Sequence, residues 1–336
     1  MPVPTIRDVA KRAGVAPITV SRVINRSGNV SPDTSARVEK AIEELGYVPN
    51  SLARSLRLKR SQTLALVVTD ISNPFWTTVV RGVEDTAQDA GFSVILCNTD
   101  ESESKQEQYL DVLVQKQVDG ILLVPATSDG RIVDWIHKQR TPVVILDRAI
   151  EDVPVDMVRC DSQDGAYQLV QHLLALGHRQ IGVLTGSRRV STASERVAGY
   201  IQAMEEAEIQ VHEGWIRYGT FSQDSGYEMA QRILEVDPRP TALLAGNNFI
   251  AVGAMRALRG AGLDVPGDMS VVSFDDLTSH LLIEPFLTVA DQPAYEMGQQ
   301  AAALLLARLS GKAPEEHQEI LLPIQITARS SSGPPL

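Results

Sequence analysis

In the stretch GVAPITVSRVIN, Gly14 to Asn25, Arg22 carries a guanidinium whose fork matches O6 and N7 of a guanine. Beside it, Pro17 and Ile18 have no side-chain group that can hydrogen-bond a base, so they can reward only an apolar surface such as a thymine methyl. One bidentate contact of the Arg22 kind is worth about 1–3 kcal/mol of discrimination. Further along, polar and aromatic residues collect where apolar runs end: Asn73, Phe75 and Trp76 after TLALVVTD, Asp147 and Arg148 at the end of TPVVILDR, Asn247 in TALLAGNN and Asp275 in SVVSFDD. Carboxylate, guanidinium, amide and aromatic groups gathered in this way suit a small ligand rich in hydrogen-bonding groups. Catalytic signatures are missing: the sequence has no dinucleotide-binding glycine fingerprint, P-loop, nucleophile elbow or paired-histidine metal motif. The six histidines are scattered, and His178 in LGHRQIGVL reads as a helix-terminal structural residue. Cys97 and Cys160 read as buried free thiols. An enzyme, a metal centre and a cofactor are therefore not expected.

The elements around Arg22 follow from short-range signals. Thr5 opens a TxxD capping box with Asp8, and Ile6, Val9, Ala10 and Ala13 recur at helical spacing until Gly14. Pro17 suits the first turn of a second helix whose Val20, Val23 and Ile24 face inward. Pro17, Ile18, Ser21, Arg22 and Asn25 then share the outward face. Ser31 and Pro32 start a third helix, with Val38, Ala41, Ile42 and Leu45 inward and Gly46 as its stop. In NSLARSLRLKR, Asn50 to Arg60, Leu52 and Leu56 align on one face while Arg54, Arg57, Lys59 and Arg60 supply charge; eleven residues make a marginal helix alone.

From Thr63 onward, apolar runs alternate with amphipathic stretches in two rounds, which predicts two parallel-sheet domains with a ligand cleft at the carboxyl ends of their strands. Charge is divided along the chain: residues 1–60 carry 11 Lys/Arg against 5 Asp/Glu, while the whole chain of 336 residues has a net charge of −11. A basic head on an acidic body suggests that the head alone meets a polyanion. No apolar run reaches membrane-spanning length and no signal-peptide pattern opens the chain, so a cytoplasmic protein is expected. The terminal SSSGPPL reads as a frayed end.

Residues TIRDVAKRAGVAPITVSRVIN and VSPDTSARVEKAIEELGYVPNSLARSL resemble the head of the LacI family of bacterial repressors. The resemblance implies a helix-turn-helix whose second helix enters the major groove. Pro17, Ile18 and Arg22 would then meet base edges, and Thr19, Ser21 and Asn25 would contact phosphates or support the helix. It also implies a hinge helix that folds on DNA, with Leu56 wedged into the minor groove and Ala53 against its wall. Thr5, Asn50 and Arg54 complete the expected DNA-contact set. Ala16 departs from the serine cap usual there.

The remainder is similar to periplasmic sugar-binding proteins of the pentose-binding kind. That likeness adds Arg196, Phe221 and Gln292 to Asn73, Phe75, Trp76, Asp147, Arg148, Asn247 and Asp275 as effector-binding residues, and the purine-binding branch adds Thr192. Trp76 stands where phenylalanine is usual, Asn248 where an acidic residue is common, and Ser273 where glycine is. The purine-binding branch of the family shares Phe75, Thr192, Arg196, Phe221 and Asp275, but its arginine has no counterpart at Val190.

The expected fold is an all-α helix-turn-helix head plus an α/β body of two doubly wound parallel-sheet lobes, of the type I periplasmic-binding-protein kind. Expected domains are 1–49 for the head, 50–61 for the hinge and 62–336 for the body. The N-lobe would take 62–160 plus 293–320, and the C-lobe 161–292 plus 321–336. The expected function is a homodimeric regulator of a carbohydrate-use operon, binding palindromic operator DNA under control of a pentose-like monosaccharide. Thr77 to Phe92 and the second helix of the first lobe would form the dimer surface. A purine-responsive repressor is the alternative, and a sugar receptor without a DNA role a more distant one.

Overall fold

A computed structural model of the chain describes residues 4–25, 27–48, 60–277 and 285–336. The chain divides into two compact units, residues 1–61 and 62–336.

In the first unit, α1 (Ile6–Ala13) begins where the Asp8 carboxylate accepts hydrogen bonds from the Thr5 backbone N–H at 2.8 Å and its hydroxyl at 2.7 Å. Gly14, at φ 67°, takes the left-handed conformation that ends it. Helix α2 (Pro17–Ile24) has Ala16 at its N-cap and therefore no side-chain acceptor for its first amides. Helix α3 (Pro32–Leu45) is capped by the Ser31 hydroxyl, which accepts from the Thr34 N–H at 3.3 Å, and is closed by Gly46 at φ 59°. Val9, Ala10, Ala13, Val20, Val38 and Ala41 are buried together, with Val23, Ile24, Ile42 and Leu45 packed around them. Apolar burial of these small side chains holds the three helices.

The second unit holds two six-stranded sheets. The first comprises β1 (Thr63–Val68), β2 (Ser93–Asn98), β3 (Gly120–Leu123), β4 (Val143–Leu146), β5 (Asp156–Cys160) and β11 (Glu319–Leu322), in the order β11-β5-β4-β3-β1-β2. The second comprises β6 (Ile181–Thr185), β7 (Ile216–Tyr218), β8 (Ala242–Ala245), β9 (Ser270–Phe274), β10 (Thr288–Asp291) and β12 (Gln325–Thr327), in the order β12-β10-β9-β8-β6-β7. Every pairing is parallel except β10 with β12. In each sheet the order reverses at the first strand, β1 or β6, the switch point outside which ligands settle.

Helices α4 (Pro74–Asp89), α5 (Glu103–Gln115), α6 (Arg131–Lys138) and α11 (Ala294–Leu309) serve the first lobe. Helices α7 (Ser162–Ala175), α8 (Ser191–Glu206), α9 (Gln223–Leu234) and α10 (Asn248–Gly260) serve the second. Helices α4 and α11 cross so closely that a Cβ on Gly82 would lie 2.1 Å from the Tyr295 carbonyl oxygen, and one on Gly298 2.1 Å from that of Val79.

Three differences from the sequence reading have physical causes. Strand β11 runs to Leu322 and pairs with β5, so the last crossing between lobes falls after 322 rather than 320. Strands β5, β10, β11 and β12 lacked a strand signal because they are short or carry polar residues between apolar ones, as in DMVRC. The terminal segment is not frayed at its start: Ser331 is fully buried, and its backbone and hydroxyl bond Val271, Thr288 and Phe286. His178 locks it further, with Nδ1 2.8 Å from the Thr241 hydroxyl and Nε2 2.8 Å from the Gly333 carbonyl. That is a structural role, as its sequence context indicated. Cys97 and Cys160 are free and buried.

Candidate functional site

Two sites stand out, one on each unit. On the head, Pro17, Ile18 and Arg22 are exposed on the outer face of α2, opposite the buried Val20. Ile18, at 55% exposure, is a large apolar side chain held out to solvent although the core beneath is complete, which is the disposition a groove-reading residue needs. Thr19, Ser21 and Asn25 are half-buried at the margins of the same helix. The Asn25 amide donates to the Ser21 carbonyl at 2.6 Å and contacts its hydroxyl at 3.2 Å, so Asn25 supports the helix end. Thr5 is exposed at the N-terminus of α1. Asn50, Ala53, Arg54 and Leu56 lie outside the described residues.

In the body, a tight cleft between the lobes, with a cavity volume of only about 30 Å³, is lined by all eleven residues expected to bind an effector, together with Glu101. Asn73 and Asn247 stand at the N-caps of α4 and α10, and Thr192 lies in the first turn of α8. Asp147 and Asp275 occupy the same position in their lobes, one residue past β4 and β9, and both have left-handed backbone at φ 66° and 61°. Non-glycine residues held there are strained, and such strain concentrates at functional sites. Phe75 and Trp76 from the first lobe meet edge to face at a centroid distance of 4.8 Å. Phe221 comes from the second lobe, with the Arg148 and Arg196 guanidinium carbons 5.9 and 5.8 Å from its ring centre.

Asp147, Arg148, Arg196, Asp275 and Gln292 are buried and tightly arranged. Arg148 donates through Nη1 to Glu101 at 2.8 Å and to the Pro125 carbonyl at 2.7 Å, and through Nη2 to Glu101 at 2.6 Å. Burial works against its charge, yet the Glu101 carboxylate and then Asp147 hold it firmly protonated. Arg196 lies 3.9 Å over the Phe274 ring and donates to the Gly246 carbonyl. The Gln292 amide donates to Asp275 at 2.6 Å. Burial pushes the Asp275 carboxyl up to about 7, against the pull of Arg196 and Gln292. Burial likewise raises Asp147, against Arg196 and Arg148. Three buried atoms among these side chains have no hydrogen-bond partner: Arg148 Nε, which has only the Asp147 carboxylate 3.9 Å away, Arg196 Nε and Gln292 Oε1. Unsatisfied groups of this kind cost about 1–3 kcal/mol each unless a ligand or water meets them.

Asn73 and Asn247 line the cleft with part of their capacity already engaged. Asn73 Oδ1 accepts from the Phe75 N–H at 3.0 Å and from Asn248 at 3.0 Å, and its Nδ2 donates back to Asn248 at 2.9 Å. This reciprocal amide pair joins the lobes. Asn247 Oδ1 accepts the Ile250 N–H at 2.9 Å. Sequence reasoning overlooked Glu101, which sits in the acidic run TDESES and looks there like a solvated charge. Among the described residues no cluster of three or more His, Cys, Asp or Glu side chains could hold a metal, and no helix is long and apolar enough to cross a membrane.

A family model described as periplasmic binding proteins and sugar binding domain of LacI family matches residues 61–330. Another, described as bacterial regulatory proteins, lacI family, matches residues 5–50. The HTH-type transcriptional repressor PurR of Pectobacterium carotovorum is 36% identical over 333 residues, 98% of each chain. Among solved structures, the lac repressor dimer bound to operator and the anti-inducer ONPF aligns with a TM-score of 0.86 at 30% identity, over 99% of this chain and 100% of that one. A LacI family transcriptional regulator from Enterococcus faecium with bound ribose aligns with a TM-score of 0.71 at 30% identity, over 81% of this chain and 99% of that one. The name PurR fits the purine alternative rather than the sugar reading.

Proposed function

Because this chain belongs to the LacI family and is a DNA-binding transcriptional repressor rather than an enzyme, we propose that a neutral monosaccharide of about pentose size, bound between the lobes, controls its hold on operator DNA. The unpartnered Arg148 Nε, Arg196 Nε and Gln292 Oε1 around the Asp147 and Asp275 carboxylates carry this reading. Each hydroxyl of a sugar both donates and accepts, so one small polyol can satisfy donors and acceptors on every side of such a ring. Phe75 and Phe221, from opposite lobes, offer apolar faces to its carbons. The ribose in the Enterococcus faecium regulator is in keeping with this class of ligand.

A purine base is the second reading, and the sequence relatives back it better than the sugar, since those at 35–36% identity are named PurR; the aromatic side chains also suit it. Against it, Val190 at the N-cap of α8 is buried and offers no side-chain donor. In either case the head reads DNA as a homodimer on a palindromic site, Arg22 supplying the polar base contact and Ile18 and Pro17 the apolar one. The outer faces of Thr77 to Phe92 and of α5 are the proposed dimer surface. Ligand closes the lobes, shifts that surface and loosens the hinge segments from the minor groove.

The test is a melting-temperature panel of pentoses, hexoses and purine bases, followed by operator titrations with and without any compound that binds. A ligand at 100 times its dissociation constant should add about 2.7 kcal/mol of stability. A pentose that stabilises the protein and weakens operator binding supports the proposal. Stabilisation by a purine base alone overturns the sugar reading, and a ligand that tightens operator binding makes it a corepressor.

A further inference from the structure

We propose that Glu101 is a selectivity residue of the cleft, which fills the guanidinium fork of Arg148 and so restricts the site to uncharged ligands, turning away phosphorylated and carboxylated ones. This rests on the cleft being the effector site.

Glu101 reaches Arg148 through a built turn. Asp100 and Glu101, just past β2, both have left-handed backbone, at φ 52° and 58°. Asp100 is held there by the Asn98 amide at 2.6 Å and by the Lys105 ammonium. The turn sets the Glu101 carboxylate end-on against Arg148, with both oxygens engaged, at 2.8 and 2.6 Å. A phosphate or carboxylate would find that end-on edge of Arg148 taken and would be left with the side-on edge of Nε–H and Nη2–H, which faces Asp147. Pro125 takes the remaining Nη1 hydrogen. What Arg148 keeps for a ligand is its unpartnered Nε–H and one Nη2–H, with Asp147 Oδ2 3.9 Å from Nε. Beside the Asp147 carboxylate that edge suits a hydroxyl, which accepts from the guanidinium and gives its own proton to the acid, whereas an anion there would meet the Asp147 charge.

The charge count points the same way. Glu101, Asp147 and Asp275 face Arg148 and Arg196, and with burial pushing the Asp275 carboxyl up to about 7 the lining near neutral pH carries no net positive charge when the other groups are ionised. With both arginines almost fully buried, an incoming anion would lose its hydration for a wall that repels it. Removing the Glu101 charge tips the lining toward positive and leaves the end-on edge of Arg148 uncompensated.

The experiment uses the full chain and two matched pairs, ribose with ribose 5-phosphate and a purine base with its nucleoside monophosphate, read by calorimetry, with inorganic phosphate added in thermal melts. For whichever neutral compound binds, the wild type should bind the phosphorylated partner at least about tenfold more weakly, and Glu101→Gln should narrow that ratio to about threefold or less. Inorganic phosphate should raise the melting temperature of Glu101→Gln and leave the wild type unmoved. Glu101→Ala serves the same purpose if the glutamine variant does not fold. A wild type that binds the phosphorylated member equally well or better, or a variant whose preference and phosphate response match the wild type, overturns the proposal. Binding of the purine pair alone would refute the monosaccharide reading while still testing Glu101 on that pair.

Discussion

At Asp275 a single carboxyl couples the cleft to pH. Its native pKa of about 7 lies above the ordinary 3.8, so the folded state holds the proton more tightly than the unfolded chain does. The stabilising contribution is therefore complete below the unfolded value and is lost as pH rises toward 7. Asp275→Asn should flatten the fall in melting temperature between about pH 4 and pH 7, with the residual slope left to Asp147 and Glu195, whose carboxyls burial also raises. An unchanged profile would mean that Asp275 stays ionised in the folded protein. Asp275 was conspicuous in the sequence because it closes an apolar strand. Glu101, equally part of the cleft, was not, because only the turn at Asp100 carries it to Arg148 from a run of surface charges.

On the scale of single elements, the head shows how local signals can settle a fold and where one of them is missing. Helices α1 and α3 begin at Thr5 with Asp8 and at Ser31, whereas α2 starts at Ala16 with nothing but its backbone. Ala16→Ser should stabilise the head by about 1 kcal/mol, seen as a higher unfolding midpoint of the head transition. A midpoint that does not move would show that packing of Val20 already sets the start of α2. In the body, strands legible as apolar runs were located from sequence, but β5, β10, β11 and β12 exist because a neighbouring strand lends them a ladder. The buried Ser331 belongs to the same class, a polar residue fixed by Val271 and Thr288 rather than by any local preference.

For the molecule as a whole, the contacts between lobes differ in weight. The Arg189 and Glu103 pair joins the lobes at 2.6 Å, but its side chains are 58% and 41% exposed, so solvent screens it and its contribution is small. The Asn73 and Asn248 pair is buried, and Asn248 also donates to the Asp276 carbonyl at 3.1 Å. Buried amide pairs of this kind favour the closed arrangement, because opening must rehydrate or re-pair every group. Asn248→Ala should weaken effector binding about tenfold, measured by calorimetry, while Arg189→Ala changes it less than about threefold. Equal effects of the two variants would show that the amide pair does not hold the lobes closed.

By itself the sequence determined what depends on neighbours along the chain: the three helices of the head, the outward set of Pro17, Ile18 and Arg22, the alternation that builds two parallel sheets, and the strand ends where Asp147 and Asp275 stand. These follow from periodicity, caps and apolar runs, which act over a few residues. Tertiary structure alone decided what depends on approach across long separations. It gave Glu101 to Arg148, joined Asn73 to Asn248, left Arg148 Nε, Arg196 Nε and Gln292 Oε1 without hydrogen-bond partners, and carried β11 into the first sheet. Burial and pairing energies are set by which surfaces exclude water together, and no stretch of chain encodes that alone.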